Sequence, residues 1–286
     1  MPDPVPPLRE VIARHGIASR KSLGQNFLLD TNLLGRIARA VGDIAGADVV
    51  EIGAGPGGLT RALIAQGARR VVAVERDARC VAALEELAAA LPGRIEVVAG
   101  DALAIDPCAL VAPPVHIVGN LPFNVATPLI VGWLGRPRAI ASMTLMVQRE
   151  VADRLVAAPG GKDYGRLAIL AQWRWEVARA FDVAPRAFVP PPKVTASLVR
   201  FRPRDTPLAE ADPGALERVT AAAFGQRRKM LRSSLRSLGV PIEALIAGAA
   251  VEPTARAETL DIAAFCALAR VLIFLERSER LAAGRA

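Results

Sequence analysis

Histidine and cysteine are scarce in this 286-residue chain: His15 and His116 are the only histidines, and Cys80, Cys108 and Cys266 lie far apart with no C-x-x-C pair. That scarcity leaves neither a zinc site nor a disulfide framework to read, and each cysteine reads as a small buried apolar residue. Long charge-free apolar runs are missing too. The N-terminus, Met1-Pro2-Asp3-Pro4-Val5-Pro6-Pro7, has no block of signal-peptide length, and no later segment approaches a membrane span, so the expected location is the cytosol. Acidic residues are in the minority, 28 against 36 Lys+Arg, for a net charge of +8. That balance favours a polyanionic partner without choosing between nucleic acid and lipid. A hydrophobic content of 52% excludes a disordered chain and suffices for one substantial core plus a smaller domain.

From Asp48 to about Arg202, short β-rich runs alternate with Ala/Leu-rich helical stretches, which predicts an α/β domain with a mostly parallel sheet. The expected strands are Val49 to Ile52, Val71 to Glu75, Ile95 to Ala99, Val115 to Gly119 and Ser142 to Val147. Trp173 to Asp182 and Val194 to Phe201 should form an antiparallel pair at one sheet edge, because the Pro-rich link between them is too short for a crossover helix. After Arg202 prolines intervene, and Ala215 to Arg280 reads as several helices. The expected organisation is a partly disordered tail over 1–20, an α/β domain over 21–204 and a small all-α domain over 205–286.

Val49-Val50-Glu51-Ile52-Gly53-Ala54-Gly55-Pro56-Gly57-Gly58 is a buried strand running into a glycine turn and a helix start, the form of a nucleotide-type binding loop. Gly53, Gly55 and Gly58 also satisfy G-x-G-x-x-G, and Glu75, ending the next strand, suits either a dinucleotide or an adenosyl ligand through its ribose hydroxyls. Asp101, ending the third strand within reach of an adenine amino group, favours the adenosyl reading and hence S-adenosylmethionine. The fourth strand closes on Val118-Gly119-Asn120-Leu121-Pro122-Phe123-Asn124. An exocyclic adenine amine is a poor nucleophile because its lone pair is delocalised into the ring, so N–H acceptors that favour a pyramidal nitrogen help it. The Asn120 side-chain oxygen and the Leu121 carbonyl could be those acceptors, with Pro122 fixing the turn and Phe123 stacking on the base. A nicotinamide-dependent oxidoreductase remains the rival reading of the glycines and Glu75, and leaves Asn120 to Phe123 unexplained.

Together with Lys21-Ser22-Leu23-Gly24-Gln25-Asn26-Phe27-Leu28, these motifs make the chain resemble the KsgA/RsmA family of ribosomal RNA adenine dimethyltransferases, from about Lys21 to Ala282. The resemblance implies a Rossmann-like class I methyltransferase with a seven-stranded sheet, acting with S-adenosylmethionine on two adjacent adenosines near the 3′ end of small-subunit RNA within an immature 30S particle. It also implies cofactor contacts at Asn26, Leu28, Gly53, Glu75, Asp101 and Asn120. Where many members carry tyrosine, this chain has Phe123, which keeps stacking and loses a hydroxyl. Related enzymes that modify large-subunit RNA in antibiotic resistance use the same chemistry. The Pro190 to Lys193 and Gln226 to Leu235 segments favour the small-subunit family.

The prolines of Phe188-Val189-Pro190-Pro191-Pro192-Lys193 could stiffen a loop holding Phe188 over the target base, a role the resemblance supports. In Gln226 to Arg236, the spacing of Arg228, Arg232 and Arg236 predicts one basic helix face, with Arg227 and Lys229 beside it and no acidic residue nearby in sequence, suited to phosphates. Nothing in the sequence demands more than a monomer.

Overall fold

The computed structural model describes residues 5–18 and 25–283. The chain forms two compact units, Met1–Ala152 with Val177–Pro203, and Asp153–Glu176 with Arg204–Ala286. In chain order the helices and strands of the first are α1 (Leu8–Arg14), β1 (Phe27–Leu28), α2 (Thr31–Val41), β2 (Asp48–Ile52), α3 (Gly58–Ala65), β3 (Arg70–Glu75), α4 (Ala78–Ala90), β4 (Ile95–Ala99), β5 (Val115–Asn120), α5 (Ala126–Leu134), β6 (Ile140–Gln148) and the start of α6 (Arg149–Leu155). After α7 (Arg166–Arg174), which belongs to the second unit, come β7 (Trp175–Val183), β8 (Phe188–Val189) and β9 (Ala196–Pro203).

Seven strands form one sheet in the order β4-β3-β2-β5-β6-β9-β7. The pairs β2–β3, β3–β4, β2–β5 and β5–β6 are parallel, and β6–β9 is antiparallel. All seven strands expected from the sequence are present with ends within two residues. Their runs of Val and Ile suit a sheet covered on both faces. The order reverses between β2 and β5, and an open α/β sheet has its ligand crevice at the carboxyl ends of the strands at such a point. On one face, Leu34, Ile37, Ala38 and Val41 of α2 pack with Val49, Val118, Met146 and Leu198. Each of the Leu, Ile, Val and Met side chains among them contributes about 1.5–3 kcal/mol by leaving water. Asp30 caps α2, accepting from the amides of Asn32 and Leu33 at 2.9 and 3.2 Å.

Three features add to those expectations. The N-terminal segment is ordered in part: Leu8, Val11 and Ile17 are buried, and Glu86 on α4 accepts from His15 Nε2 at 2.7 Å and also pairs with Arg14. An apolar spacing of three within α1 makes that docking face, which the surrounding prolines conceal. Second, β1 and β8 form a separate antiparallel pair, with Leu28 opposite Phe188. Third, the boundary near 204 is not a single point, because Asp153–Glu176 joins the helical unit. The α7 residues Ala168, Ile169, Leu170, Ala171 and Trp173 are buried, so this helix needs cover over most of its surface. Gln172 Nε2 donates to the carbonyls of Leu155 and Ala157, and Trp173 Nε1 to that of Ala209 at 2.7 Å.

The rest of the second unit is α8 (Pro213–Gly225), α9 (Leu231–Ser234), α10 (Ile242–Gly248) and α11 (Ile262–Ala283). Leu216, Val219 and Ala223 of α8 and Phe265, Cys266, Leu268 and Leu272 of α11 are buried, and Phe224 stacks on Phe265 at 5.7 Å between ring centroids. No described helix is long and apolar enough to cross a membrane.

Candidate active site

A cleft of about 1180 Å³, counted with the open water at its mouth, lies at the carboxyl ends of β2, β3 and β5. Its wall includes every cofactor residue expected above, Asn26, Leu28, Gly53, Glu75, Asp101 and Asn120, together with Leu121, Pro122 and Phe123. Lys21 to Gly24 of the N-terminal motif lie outside the described residues.

The glycine turn brings backbone to the cleft because side chains would obstruct it. Gly55 has φ +55°, and a Cβ there would stand 3.3 Å from the Phe27 ring. The Gly55 amide donates to Glu75 Oε2 at 2.8 Å, while Glu75 Oε1 accepts from the amides of Arg76 and Asp77, each at 2.8 Å. The carboxylate is therefore locked in one rotamer at the end of β3, and Oε2, which takes one donor against two on Oε1, retains a lone pair for a ligand hydroxyl. Asp101 does two things: Oδ1 accepts the Leu103 amide at 3.0 Å, as a turn aspartate does, and Oδ2 sits 3.2 Å from Arg76 Nη1 while the residue lines the cleft.

Asn120 ends β5 opposite Met146. Its Nδ2 donates to the Asn26 carbonyl at 3.0 Å, so the amide nitrogen is committed and the oxygen is the atom left to accept. The Leu121 amide donates to the Met146 carbonyl at 3.2 Å, and the Pro122 carbonyl accepts from Val125 and Ala126 at the start of α5. No described group donates to the Leu121 carbonyl. Two acceptors on adjacent residues thus stand at a cleft with Phe123, which is half-buried against the α2 core. Such a pair can bind and orient an amino group.

Sequence reasoning missed two carboxylates. Glu51, 1% exposed, accepts from Thr60 Oγ1 at 2.6 Å and lines the same cleft. Burial pushes its carboxyl up to about 8, opposed by the Thr60 hydrogen bond and helped by the charge of Glu75. A carboxylate inside the apolar run Val49 to Ile52 was the available signal. Because the unfolded chain releases this proton near 4.5 and the folded chain holds it to about 8, stability should fall as pH rises through that window. Denaturant titrations from pH 5 to 9 should show this falling limb in the natural protein and its loss in Glu51→Gln. Equal slopes would contradict the assignment. The second carboxylate is Asp77, also buried, which accepts from Gln25 Nε2 at 2.9 Å and Arg79 Nη2 at 2.6 Å. The Arg79 hydrogen bond, against burial and with help from Gln25, holds it well below the usual carboxylate range. Asp77 thus ties the segment carrying Asn26 to the end of β3.

The residues expected to face RNA divide. Phe188 is corrected: at 2% exposure it packs with Leu28, Leu34 and Leu198, because pairing of β8 with β1 turns it inward. Lys193 is exposed. The single basic helix is corrected too: Gln226 to Arg228 form a turn followed by a bend at Lys229, Met230 is extended and bridges Arg256, α9 starts at Leu231, and Arg236 sits on a short 3₁₀ turn, Leu235–Leu238. Arg227 is committed inside the unit, with Nε 2.8 Å from Glu258 and Nη2 donating to the Lys162 carbonyl at 2.7 Å. Arg228, Lys229, Arg232 and Arg236 are exposed, and none pairs with a described carboxylate.

Residues 16–273 match the family model described as "Ribosomal RNA adenine dimethylase". The chain is 60% identical over 270 residues to the ribosomal RNA small subunit methyltransferase A of Rhodospirillum rubrum, spanning 94% of this chain and 93% of that one. It is 57% identical to the protein of the same name from Paracoccus denitrificans, over 94% of this chain and 97% of the relative. Among solved structures, a dimethyladenosine transferase from Plasmodium falciparum shares the fold, with TM-score 0.73 and 23% identity over 85% of this chain and 95% of that chain. The 23S rRNA methyltransferase ErmE matches with TM-score 0.66 and 30% identity over 87% of this chain and all of its own.

Proposed function

The chain belongs to the ribosomal RNA adenine dimethylase family, and from that premise we propose that it dimethylates the N6 amines of two adjacent adenosines near the 3′ end of small-subunit ribosomal RNA. The observation that carries the reading is the Asn120 amide: its nitrogen is held by Asn26 and its oxygen left at the cleft beside the Leu121 carbonyl. The small subunit is favoured over the large because relatives named for it stand at 57–60% identity, whereas the 23S enzyme stands at 30%. In this reading the enzyme is a cytoplasmic monomer acting on an immature small subunit.

The cleft fits an adenosyl ligand, since Gly55 leaves open the space a Cβ would take and Glu75 and Asp101 offer acceptors along one wall. S-adenosylmethionine, when bound there, supplies a methyl group already made electrophilic by its sulfonium. The protein's contribution is positioning and electrostatics. Asn120 Oδ1 and the Leu121 carbonyl accept the two N–H bonds of the amine and favour a pyramidal nitrogen. After the first transfer one N–H remains, and a single acceptor suffices for the second. Phe123 stacks on the base. Calorimetric titration tests the cofactor assignment directly: S-adenosylhomocysteine should bind and NAD should not, and the reverse would overturn it.

Arg228, Lys229, Arg232 and Arg236 would contact phosphates in this reading, with Lys193 and without Arg227. Arg232→Ala should weaken RNA binding and lower the slope of log affinity against log salt by roughly 0.7–0.9. Arg227→Ala should instead lower the melting temperature through the loss of its Glu258 and Lys162 bonds. The opposite pattern would reassign the two residues.

A further inference from the structure

The first unit carries a cluster of arginines of its own. On α2, Arg36 and Arg39 are exposed three residues apart and hence neighbours on one face. The same helix lines the cleft with Leu34 and Ile37. On β9, Arg200 and Arg202 follow Leu198 at a spacing of two, so they share the sheet face that α2 covers. Their proximity to α2 is direct: Arg202 Nη2 lies 3.8 Å from where a Cβ on Gly42, the residue ending α2, would stand.

None of these four guanidinium groups is spent on a described carboxylate. Nearby acids are engaged elsewhere, Asp43 with the Ala45 amide and Asp182 with Ser197 Oγ and Arg149. Two further observations indicate a prepared surface. The Arg36 guanidinium lies 3.8 Å over the centre of the Phe181 ring on β7, which orders it by its flat face and leaves its in-plane N–H groups free. Gly35 sits inside α2, where glycine costs about 1 kcal/mol relative to alanine, and its bare Cα gives room to Arg39, whose Nη1 would be 3.3 Å from an added Cβ. Arg200, finally, has its Nε buried without an acceptor.

We infer that Arg36, Arg39, Arg200 and Arg202 form a second RNA contact surface that grips the phosphodiester backbone beside the helix whose other side lines the cleft. Planar guanidinium groups with no carboxylate partner match a phosphate, whose oxygens can accept two parallel hydrogen bonds from one guanidinium. Backbone contacts of this kind set the register of an RNA on the enzyme without reading its bases. The inference rests on the proposed action on small-subunit RNA.

The test compares the natural protein with Arg36→Gln/Arg39→Gln/Arg202→Gln, all exposed positions, and with the corresponding Lys triple. Methyl transfer to under-methylated small subunits and filter binding of protein-free small-subunit RNA are measured across salt concentrations. The Gln triple should raise KM for subunits about tenfold and lower the salt slope by about two to three, with kcat and S-adenosylhomocysteine affinity unchanged. The Lys triple should recover most of the slope. Unchanged KM and slope in the Gln triple, with natural protein active, would overturn the surface alone. A deficit on assembled subunits but not on protein-free RNA would assign the arginines to a protein partner and also overturn it. Failure of the natural protein to methylate small subunits at all would instead remove the reading on which it rests.

Discussion

Asn120→Ala should reduce methyl transfer by at least about a hundredfold, the usual cost of removing one preorganised polar group at a reacting centre, while S-adenosylhomocysteine still binds. The separation follows from the site's wiring. In the proposed function, cofactor recognition is distributed over the glycine turn, Glu75 and Asp101, whereas acceptance of the amine falls on Asn120 Oδ1 and the Leu121 carbonyl. The Asn26 carbonyl fixes which amide atom faces the cleft. Asn120→Asp is the sharper variant, because a carboxylate meets the Asn26 carbonyl with no donor and must rotate or bind a proton. Single-turnover rates and calorimetry on the same preparations read both effects. Full activity in Asn120→Ala would remove the residue from the chemistry.

Gly119→Ala is expected to have the largest effect on stability. Gly119 lies on β5 opposite Ile52 of β2, and a Cβ there would stand 2.6 Å from the Ile52 carbonyl oxygen and 3.1 Å from Leu121 Cδ2. The first of these is backbone of the central parallel pair, which cannot move without disturbing the strand that carries the glycine turn. A loss of about 3 kcal/mol follows from overpacking at such a point, and cofactor affinity should fall with it because Gly53 lies one residue beyond Ile52. Gly132→Ala serves as the control. It sits inside α5 with no atom within 4 Å of the added Cβ, so it should stabilise by about 0.4–1 kcal/mol. Denaturant unfolding of the two variants should differ in sign, and similar midpoints would show that the β2–β5 contact is not tight.

The sheet was legible because β2 to β5 are short runs rich in Val and Ile bounded by turn chemistry, and Gly53, Glu75, Asp101 and Asn120 fall at successive strand ends. Residues defined by partners distant in sequence were not legible. Phe188 reads as a candidate for stacking on the base until its pairing with Leu28, far upstream, turns it into the core. Arg227 reads like its neighbours Arg228 and Lys229, yet Glu258, 31 residues later, takes its charge. The basic stripe fails for a local reason: Gly225 ends α8 and Met230 precedes α9 in an extended conformation, so no helical period connects Arg228 to Arg232. Glu51 was concealed by the opposite bias, since strand residues in an apolar run are read as core.

Methyl transfer from labelled S-adenosylmethionine to small subunits from a strain lacking this modification, followed by digestion and identification of the labelled nucleoside, tests the account most directly. The account predicts N6,N6-dimethyladenosine confined to two adjacent positions near the 3′ end of the small-subunit RNA, and none in large subunits treated alongside. Label in large-subunit RNA alone, or on a base other than adenine, would contradict it.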